Sequence, residues 1–262
     1  MRASERELQQ RPYLRCDDDE GTDWVFTSAG LTPELTIEGL WYGGGKLVLA
    51  GNYRRVTIRS CTLDPGGTRA DASALDPAEL VIQGTIDELL IDRSIIAGIS
   101  LAGGAVAALH IRDSTVASTS PTIKLDLPAT ELTIERSTLA VETIGLRITA
   151  TEILAQKPIT VADQQNGCVR FSTIAPLSQI PAPYPGGLAD VFPHYFVSTR
   201  FGDPGFYVLS ESAPDAVVRG AENGSEIGAY SRLLNPLKLD SVRTKIHEFM
   251  PIGRLAAFIR EN

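Results

Sequence analysis

Along the first two-thirds of the chain, apolar and polar residues alternate in short bursts built on one motif: apolar, any, Ile, two further residues, a small residue, any, apolar. It occurs at Val56-Thr57-Ile58 with Cys61-Thr62-Leu63, and at Leu89-Leu90-Ile91 with Ser94-Ile95-Ile96. It returns at Leu109-His110-Ile111 with Ser114-Thr115-Val116, at Leu132-Thr133-Ile134 with Ser137-Thr138-Leu139, and at Leu146-Arg147-Ile148 with Thr151-Glu152-Ile153. Leu35-Thr36-Ile37 is a looser first copy. A period of two puts alternate side chains on one side of a short β-strand. No 3.6-residue periodicity competes with it here, and the Thr, Ile and Val content favours strands. Self-similarity every few tens of residues marks stacked repeats. The prediction is an all-β solenoid whose like residues pile up at about 4.8 Å intervals.

The spacing sharpens this. Ile37 to Ile58 is 21 residues, Ile91 to Ile111 is 20 and Ile111 to Ile134 is 23. A winding of that size holds three short strands and their turns. The longer step from Ile58 to Ile91 contains a turn-rich insertion, Asp64-Pro65-Gly66-Gly67 through Asp76-Pro77. Ile134 and Ile148 are 14 residues apart, too few for a winding, which predicts that one of the two copies lies on another face. Lys46–Leu49, Leu80–Ile82, Thr122–Leu125 and Ile159–Val161 are further strand candidates. Ser94, Ser114, Ser137 and Thr151 are expected to turn a corner with their hydroxyls on the backbone. Cys61 fills the same slot as a small buried side chain.

Residues 1–34 form a charged leader and the first strands, 35–175 the β-helix, and 176–262 a Pro-rich wrap with a C-terminal capping segment. Prolines 176, 181, 183, 185, 193 and 204 remove ladder donors, so an irregular wrap covering the last open winding is expected. A helix follows over 236–250, with Asn235 as its cap and Leu239, Val242, Ile246 and Phe249 on one apolar face. That face either seals the solenoid end or docks a partner. A terminal strand is expected at Leu255–Ile259.

Net charge −8 argues against nucleic acid or an anionic membrane as partner. No apolar run is long enough to span a bilayer, and the N-terminus lacks a secretory apolar stretch. Cytoplasmic assembly is therefore expected. Cys16, Cys61 and Cys168 have neither zinc-ligand nor disulfide-framework spacing. Asp17–Glu20 reads as a solvated turn and Gly220–Glu226 as a turn rather than a phosphate cradle. The outward residues beside the marker isoleucines, Arg59, Asp92, Arg112 and Glu135, alternate in sign, which suits cross-strand ion pairing and not paired catalytic acids. His110 faces outward alone. No catalytic residue, cofactor or metal site is expected.

Three tail segments carry a resemblance: Gln165–Ser172, Phe201–Phe206 and Arg219–Ala229; so does the repeat Arg55–Gly66. They resemble a bacterial family of large β-helix proteins, some encoded beside phage-tail-like contractile injection systems. The resemblance implies a single-stranded right-handed parallel β-helix, pectate-lyase-like in architecture. It also implies a non-catalytic structural or assembly component, a baseplate or spike accessory, working through protein partners or self-association. Two alternatives stand beside it. One is a carbohydrate-binding adhesin using a surface glycan, for which Trp41, Tyr42 and Tyr53 are the nearest aromatics. The other is a polysaccharide lyase or hydrolase.

Overall fold

A computed structural model describes residues 12–15, 23–28, 30, 33–68, 74–203, 205–251 and 254. Cys16, the acidic run Asp17–Glu20 and the expected strand Leu255–Ile259 lie outside the described residues. The chain winds as a right-handed parallel β-helix with three faces. Among the described residues the first and third faces hold seven strands each and the second holds nine.

The repeat motif makes the first face and its corner. Ile37, Ile58, Ile91, Ile111, Ile134, Ala150 and Val169 stand in register through seven windings. All are at most 1% exposed. Each buried aliphatic side chain contributes about 1.5–3 kcal/mol relative to exposure, and repetition turns that into a continuous column. The third face, at Trp24–Phe26, Leu47–Leu49, Leu80–Ile82, Ile99–Leu101, Leu125–Asp126, Thr143–Gly145 and Ile159–Val161, contains three of the other expected strands, while the one expected at Thr122–Leu125 begins only at Leu125, after a turn at Pro121 and Thr122. Windings stack directly where the third face turns into the first. A Cβ on Gly84 would lie 2.0 Å from the Gly51 carbonyl oxygen, and one on Gly104 would lie 2.4 Å from that of Gly84. No other residue fits there without moving the backbone.

The short interval has a different explanation from the one expected. Ile148 lies opposite Leu132 on the first face, and Ala150 takes the isoleucine slot opposite Ile134. Both copies share a face. The winding is 16 residues long, and the apparent motif at Leu146–Ile153 is displaced by two positions. Because strand periodicity is also two, the displaced copy keeps the correct inside–outside pattern.

That displacement also corrects the corner column. Thr151 pairs with Glu135 on the first face, and Ile153 occupies the serine slot. Ser172 resumes the column, donating to the Arg170 carbonyl (2.6 Å) and accepting from the Ile153 N–H (3.1 Å). Ser94, Ser114 and Ser137 donate in the same way, to the carbonyls of Asp92, Arg112 and Glu135. Their oxygens accept the N–H of the preceding winding: Cys61, Ser94 and Ser114. Cys61 is fully buried, its thiol 3.1 Å from the Arg59 carbonyl. The residue before each slot is left-handed: Ser60, Arg93, Asp113, Arg136, Glu152 and Phe171 have φ between +43° and +57°. Such backbone is uncommon for these residue types, and the serine ladder holds it in place.

Parallel pairing continues past residue 175. Gln179 bonds both ways with the third-face strand Ile159–Val161, the Tyr184 N–H reaches the Val169 carbonyl on the first face, and Gly186–Leu188 pairs with Ser172–Ile174 on the second. The prolines at 176, 181, 183 and 185 fall between the few positions that need a donor. They leave a terminal edge poor in N–H groups, which discourages further strand addition. The insertion after Asp64 forms a hairpin, Gly67–Thr68 against Ala74–Leu75.

Beyond Leu188 the chain turns back along the side of the solenoid instead of covering its end. Outward residues of the second face should be wet, yet Thr115, Thr138 and Leu154 are at most 2% exposed. A second core covers them, built of Val191, Phe196, Phe206, Tyr207, Val217 and Ile227, with Ala117 and Leu154 from the solenoid.

Candidate partner-docking cleft

The helix spans Asn235–Phe249, within a residue of expectation. Leu234, at φ +54°, turns the chain into it. Its anchors belong to the tail. The Asn235 amide donates to Glu226 Oε1 (2.9 Å), and Asp240 pairs with Arg219 (2.5 Å). The alternative in which the apolar face seals the solenoid end is therefore not what the structure places there. Leu239 and Val242 line an open cleft of about 670 Å³ with Val208, Leu209, Ala213 and Val218. Val242 is 45% exposed. Ile246 is half-buried further along the helix, and the Phe249 side chain lies outside the described residues. The rim is mixed in charge, with Asp215, Arg219, Glu226, Lys238 and Asp240. No described helix is long and apolar enough to cross a membrane.

The outward charge column forms as expected. Arg59, Asp92, Arg112 and Glu135 follow in register, and Asp92 meets Arg59 at 3.2 Å, Arg93 at 3.4 Å and Arg112 at 3.9 Å. Asp92 thus has arginine on both neighbouring windings. His110 is half-buried between Leu90 and Thr133 in the outward row of the first face. The aromatics expected to offer a sugar platform lie elsewhere: Tyr42 and Tyr53 are core residues, and Trp41 is packed between Tyr13 (4.7 Å) and Phe201 (5.7 Å). Asp64 is buried, its carboxylate accepting the Gly66 N–H at 2.9 Å. Burial pushes its pKa up, against the opposing pull of that bond.

Sequence reasoning missed the carboxylates that fasten the tail. Glu152 projects from the left-handed corner. Its Oε1 accepts the Glu222 N–H (3.1 Å), its Oε2 accepts the Ser231 hydroxyl (3.2 Å), and its carbonyl accepts the Gly228 N–H (2.9 Å). Asp113, one slot earlier in the windings than Arg136, accepts from Arg136 Nε at 2.7 Å and meets Arg232 of the tail at 3.3 Å. Thr138 adds a hydroxyl that accepts the Ala229 N–H (3.1 Å). The signal was available: Arg93, Asp113, Arg136 and Glu152 occupy one corner position in successive windings and alternate in sign.

Comparisons with protein-family models, with curated proteins and with solved structures returned no match.

Proposed function

We propose that the chain is a non-catalytic assembly component, a rigid β-solenoid whose tail presents a docking cleft to a protein partner. One observation carries this reading. Leu239 and Val242 lie on an open apolar cleft with a charged rim instead of being consumed by intramolecular packing. A neighbour's apolar segment flanked by charges fits such a surface. The buried acids also support it, because Asp92, Asp113, Glu152 and Glu226 are engaged by arginines or by tail groups. The narrower form, an accessory of a phage-tail-like contractile particle, rests on the resemblance of the repeats and the tail segments.

The test is retention of tail and baseplate proteins by the immobilised chain, with Val242→Asp alongside. The cleft reading expects clear retention by wild type and at least a tenfold loss in the variant at unchanged fold. Equal retention by both removes the cleft from the proposal, and no retention by wild type removes the particle. Light scattering on both proteins tests self-association through the same face.

A further inference from the structure

Where the tail segment Ala229–Leu233 crosses the solenoid corner, a second cavity of about 490 Å³ opens between the two. Its floor is solenoid: Arg93 and Asp113 from successive windings, with Ile95 beside them. Its roof is tail: Tyr230, Arg232 and Leu233. The lining sets two guanidiniums against one carboxylate, on a chain of net charge −8.

That single carboxylate is shared between Arg136, which lies outside the cavity lining, and Arg232 of the cavity's own roof. The Asp113 side chain, only 5% exposed, takes Arg136 on one oxygen and Arg232 on the other. It fixes where the Arg232 guanidinium sits while 61% of that side chain stays exposed. Arg93 is 52% exposed and contacts Asp92 through Nε, a carboxylate that Arg59 approaches more closely. Both arginines therefore keep donors of their planar forks for another anion. The remaining lining mixes the hydroxyl-bearing Ser94 and Thr115 with Ile95, Ala229, Tyr230 and Leu233. The Tyr230 hydroxyl donates to the Phe206 carbonyl (2.8 Å), which holds the ring in place, and Leu233 is 46% exposed at the cavity.

We infer that this cavity binds a small ring-bearing carboxylate, its carboxyl group held by Arg93 and Arg232 and its ring set against Ile95, Tyr230 and Leu233. Guanidinium–carboxylate pairing supplies geometry as well as charge. A ligand held this way touches solenoid and tail together and fastens one to the other. The inference is independent of the docking cleft, which shares no lining residue with this cavity.

Isotope-labelled protein titrated with benzoate and, separately, galacturonate tests it, read by amide shifts at Ala229–Leu233. Benzamide supplies the ring without charge, and inorganic phosphate the charge without a ring. At least one of the two carboxylates is expected to saturate with a Kd of about 1 mM or tighter, and the stronger of them tells aromatic from sugar ring. Arg93→Gln and Arg232→Gln are each expected to weaken it about tenfold, the loss of a charged hydrogen bond. In a Trp24→Phe background, Trp41 fluorescence, which reports Phe201 nearby, checks that the tail stays docked in both. Four results overturn the inference: neither carboxylate binds; benzamide binds as well as benzoate; phosphate binds as well as the better carboxylate; or the Arg93→Gln protein, with its tail docked, binds like wild type.

Discussion

The solenoid and the tail bury apolar residues of similar kind by opposite means. In the solenoid most inward residues meet another apolar residue one winding above and below, as Ile58, Ile91, Ile111 and Ile134 do, so one short motif specifies the column. Its stability is a sum of similar neighbour terms, as in other repeat arrays. In the tail nothing repeats. Val191, Phe196, Phe206, Val217 and Ile227 come from scattered positions and acquire a core only against Ala117 and Leu154 of the solenoid. The solenoid is built to stand alone, whereas the tail stands because a finished solenoid face is beneath it.

The most severe way to break that contrast is to damage the column. Ile111→Ala removes a fully buried side chain flanked by Ile91 and Ile134 and should cost about 4 kcal/mol. Because the tail needs the solenoid, both regions should melt earlier together. Ile227→Ala, at 2% exposure in the tail core, should cost a similar amount but release the tail alone. Hydrogen exchange distinguishes the two cases: if Ile227→Ala also strips protection from the first-face strands, the regions are one cooperative unit and the contrast fails.

Next in size is the fastening at Glu152. Truncation to Ala leaves the Glu222 N–H and the Ser231 hydroxyl without their acceptor, at a cost of about 2–3 kcal/mol. That corresponds to a fall in tail amide protection of about 50-fold. Glu152→Gly makes the same deletion but suits the corner's φ of +57°, and should recover about 1 kcal/mol of it. If both variants keep wild-type protection over 189–233, Glu152 does not hold the tail.

Alkaline pH should reach the tail by another route. Burial pushes the Tyr207 hydroxyl up to about 12, and burial also raises Tyr230, helped by the charge of Glu226. The unfolded chain releases such protons near pH 10. The folded tail keeps them, so its stability is fully present below about pH 10 and declines as pH rises through the folded pKa. For one proton the decline is about 1.4 kcal/mol per pH unit, on the order of 2 kcal/mol by pH 12. In a Trp24→Phe background, Trp41 alone reports the release. Tyr207→Phe should move the midpoint upward, and an unmoved midpoint would remove Tyr207 from the account.

How far each region was legible follows from the same contrast. Faces, strands and corner serines could be read because a stacked winding makes every position answer to its neighbours. The exception, the 16-residue winding at Ala150, misled because a slip of two residues preserves alternation. Residues 176–188 were mistaken for a wrap because prolines argue against strands in general, although an edge winding needs donors at only a few positions. The tail's path along the second face left no periodic trace. The alternating charges at the corner marked Asp113 and Glu152 as a column, but the tail groups they hold could not be read, since a bond to a residue 70 positions away has no local signature. The helix itself was plain from its spacing, but the spacing could not say what its apolar face meets.

That face gives the smallest expected effect and the sharpest distinction. Ile91 and Val242 are both aliphatic positions in a regular pattern. An aspartate at the fully buried Ile91 would leave an unpaired charge among apolar neighbours and prevent folding. The same change at Val242, 45% exposed on the cleft, leaves the charge in water and should cost under about 1 kcal/mol. Lys238, four residues earlier on the helix, offers it a partner of opposite sign. A thermal midpoint within a few degrees of wild type, with cleft binding lost, is the combination expected of a surface kept open for another molecule. A drop as large as that of Ile111→Ala would mean instead that Val242 is packed inside the protein, and the cleft would cease to be a docking surface.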